Sequence, residues 1–204
     1  MVPDQRTLIV LGSLIGGMTL ISGLLLVLEP GPVAPLSGIT LTSVDVSGRP
    51  ADRLFGSSPS HAWQAIVIHD SNTLQGSSRT LNELHEKMGR KGLGYHFVIN
   101  NGQGEADGLI EVGFRWTRQL PGAYVEGQGA EWFNRNAIGI CLIGDTDRQP
   151  LTQAQLRELV WLVQQLQRQY NIPGDKVVVQ MGEQASVTFP HLWFRQQLLN
   201  PTLP

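Results

Sequence analysis

Ala65-Ile66-Val67-Ile68-His69 is an unbroken apolar run closed by a histidine, and its reading decides the fold. A continuous run, rather than an alternating one, is what a strand covered on both faces requires. Downstream, Thr80-Leu81-Asn82-Glu83 has the T-x-x-E spacing of a capping box, which predicts a helix starting there. Leu81, Leu84, His85 and Met88 then share one helical face, and Gly89 to Gly94 ends it. Tyr95–Asn100 reads as a second strand, followed by the Asn101-Gly102 turn signal, a glycine-rich loop and a strand at Leu109–Val112. Ala137–Ile143 is another buried strand, closed by Gly144-Asp145. Thr152-Gln153-Ala154-Gln155 is a second capping box, and Leu156, Leu159, Val160, Val163, Leu166 and Tyr170 continue from it as an apolar stripe at helical period. Pro173-Gly174 stops that helix. Val177–Val179 is a final strand and Leu192–Leu199 a short last helix. Strands alternating with helices predict an α/β domain, a central mixed β-sheet flanked by helices.

Upstream the composition changes. Residues 7–28 carry no charge and are dominated by Leu, Ile, Val, Met and Gly. About 20 such residues span a hydrocarbon core, so the run predicts one N-terminal transmembrane helix, an uncleaved signal anchor, with a cleaved signal as the alternative. The expected organisation is a short tail at 1–6, the anchor at 7–28, a Pro/Gly/Ser-rich linker at 29–60 with a short strand within Ile39–Val46, and the folded domain at 61–204. Arg6 on the short side places the tail in the cytoplasm and the domain on the extracytoplasmic, cell-wall side, with the membrane as a partner through the helix. The formal net charge of -2 leaves no electrostatic footprint for nucleic acid. A single cysteine, Cys141, excludes an internal disulfide and any cysteine-rich metal cluster.

Three segments carry a resemblance. Ile66-Val67-Ile68-His69-Asp70-Ser71, Gly94-Tyr95-His96-Phe97-Val98-Ile99 and Ala137-Ile138-Gly139-Ile140-Cys141-Leu142-Ile143-Gly144-Asp145 resemble, in order and spacing, strands of the zinc-dependent N-acetylmuramoyl-L-alanine amidases and the related peptidoglycan recognition proteins. Pro121-Gly122-Ala123-Tyr124 stands where that family has P-G-A-H. The resemblance runs from about Trp63 to Leu198 and implies a groove on one face of the sheet that binds glycan-linked peptides.

It also implies zinc held by two histidines and a cysteine or aspartate, with a tyrosine assisting. Such an ion polarises the scissile carbonyl and lowers the pKa of a bound water. His69 matches the first ligand and Tyr95 the tyrosine. The second histidine should follow Val177–Val179, where the chain reads Gln180-Met181-Gly182-Glu183, so that Gln180 or Met181 takes its place depending on register. The third ligand should open C-P-G, where Phe189-Pro190-His191 stands. Two of three ligands are replaced, so His69 and Tyr95 are read as vestigial and no zinc is expected. A rearranged set of His69, Glu183 and His191 is the alternative. His69, Tyr95, Tyr124, Trp116 and Asn136 are the ligand-binding candidates, with Trp132 as further stacking surface. The expectation is a domain that binds peptidoglycan, a muropeptide or a cell-wall partner without hydrolysis. The alternatives are an active amidase with a rearranged metal site and a structural scaffold with a closed groove.

Overall fold

The computed structural model describes residues 43–44, 61–181 and 188–199. The expected tail, anchor and most of the linker, like Glu183, lie outside the described residues. Six strands form one sheet: β1 (Ser43–Val44), β2 (Ala65–Asp70), β3 (Phe97–Ile99), β4 (Ile110–Val112), β5 (Ala137–Leu142) and β6 (Val177–Val179). Their order is β1-β4-β3-β5-β2-β6. The four strands from β3 to β6 run parallel, while β4 and β1 extend the sheet antiparallel at one edge. The expected mixed sheet is therefore present.

The apolar run at 65–68 is central because it is covered twice. Ile66 and Ile68 face one side, packed in a common core with Phe97, Ile99, Ile138 and Ile140 under α4 (Gln153–Tyr170). Ala65 and Val67 face the other, with Leu81 of α1 (Ser78–Lys87), Val98 and Cys141. Each fully buried aliphatic side chain is worth about 1.5–3 kcal/mol relative to exposure. Leu156, Leu159, Val160, Val163 and Leu166 form the buried stripe of α4 as the periodicity requires. Its capping box is present: the Thr152 hydroxyl accepts from Gln155 N at 3.0 Å, and the Gln155 side chain answers Thr152 N.

The first helix begins earlier than its sequence suggests. Ser77 is the N-cap and Thr80 the reciprocal residue of the box, so α1 starts at Ser78. A buried carboxylate explains the shift: Glu111 of β4 accepts from Ser78 N (2.7 Å) and Ser78 Oγ (2.8 Å), which satisfies that first turn from across the sheet. Leu84 and Met88 are exposed, while Leu81 and His85 face the core. Two short helices without a strong sequence signal, α2 (Phe114–Thr117) and α3 (Ala130–Asn136), lie in the long connection before β5. The final helix α5 spans His191–Leu199.

Candidate functional site

His69 is the penultimate residue of β2, where the chain leaves the sheet at the carboxyl ends of the parallel strands. Open α/β sheets present their ligand sites at this edge. In β6 the ladder continues one step past Val179, with Gln180 N donating to Ile68 O at 2.9 Å. That step brings Gln180 beside His69 and turns Met181 into the core under α4. The register left open by the sequence is resolved in favour of Gln180.

Both ring nitrogens of His69 are engaged. Nε2 lies 3.0 Å from Gln180 Oε1, and Nδ1 lies 3.2 Å from the Tyr95 hydroxyl. An amide oxygen only accepts, so Nε2 carries the proton and Nδ1 accepts from Tyr95. Burial lowers the His69 pKa, against the smaller raising effects of the Gln180 bond and the Asp70 charge. The ring is neutral at neutral pH. Burial holds the Tyr95 phenol well above its ordinary value, so it remains a donor.

Tyr124 completes the cluster. Its ring stacks on Tyr95 with centroids 5.5 Å apart and meets His69 edge-on at 5.7 Å. Its hydroxyl donates to Ala137 O at 2.7 Å, so the side chain is anchored at its far end and 5% exposed. The bare Cα of Gly139 makes room: a Cβ there would stand 2.3 Å from the ring. Asn134 fixes the backbone, accepting from Tyr124 N (3.0 Å) and Val125 N (3.1 Å) through Oδ1. Neither Gly139 nor Asn134 was singled out from the sequence. A glycine inside an otherwise apolar strand was the available signal.

The other candidates are not brought to this cluster. Trp116 is 3% exposed in the core under α4, its ring 4.7 Å from Phe97, and does not line the groove side. Asn136 precedes Ala137, which pairs with Ala65, whereas His69 pairs with Cys141, so Asn136 sits at the opposite end of the strands. There it donates to Trp132 O at 2.8 Å. Trp132 is 44% exposed on α3, against Phe133. His191 opens α5 with its ring against Phe189. Its neighbour Phe189 is buried in the α4-side core.

The sequence model of the N-acetylmuramoyl-L-alanine amidase family matches residues 59–192. The chain belongs to that family. It is similar to the endolysin of Enterobacteria phage T3, 29% identical over 120 residues that cover 55% of this chain and 72% of the phage protein. It is similar also to the endolysin of Escherichia phage T7, 30% identical over 114 residues that cover 52% and 68%. Among solved structures, the amidase LysC from Clostridium intestinale superposes with a TM-score of 0.55 at 23% identity, covering 68% of this chain and 87% of that one. This last likeness shows the fold.

The expected single-pass membrane placement is corrected. No helix among the described residues is long and apolar enough to cross a membrane, and the similar proteins are phage endolysins. An apolar run of sufficient length meets a necessary condition for spanning a bilayer and does not by itself locate the domain beside it.

The zinc that the amidase family implies does not fit the described residues. Of the three positions the resemblance assigns to ligands, one holds His69 with both nitrogens hydrogen-bonded, one holds the Gln180 amide, and one holds a phenyl ring turned into the core. Among the described residues no three His, Cys, Asp or Glu side chains converge. Cys141 lies in the sheet interior, and burial raises its thiol far above the range in which a thiolate forms.

Proposed function

We propose that this amidase-family domain binds peptidoglycan fragments, by the surface around His69, Tyr95 and Tyr124, without hydrolysing the amide between muramic acid and L-alanine. The observation that carries the reading is the engagement of His69: Gln180 and Tyr95 hold both ring nitrogens, leaving neither open to a metal. The groups that remain are suited to contact. His69, neutral and partly exposed, offers an imidazole edge, and Tyr95 and Tyr124 supply a stacked aromatic floor. Gln180, exposed beside them, brings a carboxamide that can exchange its bond to His69 for one to a ligand amide.

The burial of Tyr124 favours a second reading, a scaffold whose groove is closed by that ring. One experiment separates them. The full chain is incubated with excess zinc, desalted and assayed for bound metal, then titrated calorimetrically with a muramyl tripeptide while the products are followed by mass spectrometry. Saturable binding that His69→Ala weakens, with the ligand intact and zinc far below stoichiometric, is the expected result. Cleavage would overturn the proposal, and a flat titration would leave the scaffold.

A further inference from the structure

A cavity of about 420 Å³ opens at the same edge of the sheet, but shares no lining residue with His69, Tyr95 or Gln180. That size falls within the range of small-molecule sites. The segment after His69 leads to it: Thr73 N donates to Gly144 O at 3.3 Å, and Leu74 and Gln75 then form one wall. Gln103, Gln149 and the start of α4 complete the lining.

The walls are tied to one another before any ligand arrives. Buried Asn101 donates from Nδ2 to Leu74 O at 2.9 Å and accepts from Gln103 N on Oδ1 at 3.0 Å. Gly76 N donates to Gln103 O at 3.1 Å. Gln155, also buried, donates to Ile99 O and Ile143 O, which pins the helix start to the strand ends. Preorganised walls reduce the ordering cost of binding.

The chemistry of the lining is narrow. None of the lining side chains is charged. Leu74 and Pro150 supply the exposed apolar surface, and the lining also includes the buried Ile143 and Leu151. Gln75, Gln103 and Gln149 contribute three carboxamides whose side chains form no hydrogen bond among the described residues. Each carboxamide presents a donor pair and an acceptor, so together they match a ligand with both and with no net charge. A small methyl beside a secondary amide would meet the apolar wall. Stem peptides carry terminal or side-chain charges that this lining does not answer, whereas the glycan of the same polymer offers uncharged hydroxyls and acetamido groups.

We propose that this cavity is a second binding site, for an acetamido sugar of a glycan strand, read by Gln75, Gln103 and Gln149 against the Leu74–Pro150 surface. It rests on the reading of peptidoglycan as the ligand, and would place glycan and peptide at separate points along one edge of the sheet.

The test titrates the ¹⁵N-labelled full chain with N,N′-diacetylchitobiose, which has no peptide and so reports on the cavity whether or not muropeptides bind at His69. Saturable shifts of the side-chain amide signals of Gln75, Gln103 and Gln149 are expected. The exposed pair Gln75→Leu and Gln103→Leu together should weaken binding roughly tenfold while the folded-state spectrum persists. Three results would each overturn the proposal: no shift of these signals, equal shifts with cellobiose, which lacks the acetamido group, or shifts with N-acetyl-alanyl-alanine amide but not with the sugar.

Discussion

Acidification should destabilise this fold through one histidine. His96 is fully buried and neutral: its Nε2 donates to Leu120 O at 3.0 Å, and its Nδ1 accepts from Gly139 N at 2.8 Å. Its rings of contact are Trp63, Trp116 and Tyr124. Burial depresses its pKa to about 3, with the Leu120 bond acting against the shift and the nearby Arg115 and His61 adding to it. A histidine depressed in the folded state contributes stability that is fully present above its ordinary value of 6.5 and is lost as pH falls toward 3. Within that window the unfolded chain binds a proton that the folded chain refuses, at about 1.4 kcal/mol per pH unit. From about pH 7 to about pH 5 the loss integrates to roughly 2 kcal/mol, a large share of a domain's stability. The measurement is urea unfolding at both pH values for the native chain and for His96→Gln, which keeps a donor and an acceptor without titrating. His69 and His85 are also depressed, but both proteins retain them, so their effect cancels in the difference. The native chain should lose about 2 kcal/mol more than the variant over that interval. Equal losses would refute the assignment of His96 as the buried neutral link between β5 and the 114–120 segment.

Gly139→Ala sets a methyl against the Tyr124 ring, 2.3 Å away, and should cost about 1–3 kcal/mol in thermal unfolding. Adding Tyr124→Leu should recover part of that loss, and a failure to recover would mean that the ring is not what the methyl meets. Glu111→Gln replaces one acceptor oxygen with a donor facing the first turn of α1 and should lower stability by about 1–3 kcal/mol, read from the urea midpoint. Gln180→His alone should leave zinc far below one ion per chain by elemental analysis, because Phe189 stays committed to the core. Stoichiometric zinc in that variant would show that two donors suffice.

Much of the fold was legible in the residues because burial on two sides writes a continuous apolar run and an amphipathic helix writes a 3.6-residue stripe. Both α4 and the β2 and β5 strands follow those rules closely. The start of α1 was misplaced by three residues since both Ser77 and Thr80 can cap, and the choice was made by Glu111, 33 residues beyond Ser78 in β4. The ligand candidates divide in the same way. His69, Tyr95 and Tyr124 were chosen on motif and do converge, whereas Trp116 shares their chemistry but lies beneath the other face. Residue type names what a side chain can do, and the strand's twofold alternation decides which face it serves.

What the sequence determined by itself was the family and the α/β architecture, because each is a matter of residue pattern at a recognisable spacing. Only the tertiary structure decided that Gln180, and not Met181, meets His69. Only it showed the Tyr124 ring lying over the bare Gly139 backbone, and Gln75, Gln103 and Gln149 meeting at one cavity. Those pairings join residues far apart in the chain. They are set by strand register and by where loops cross the sheet edge, which no local pattern encodes.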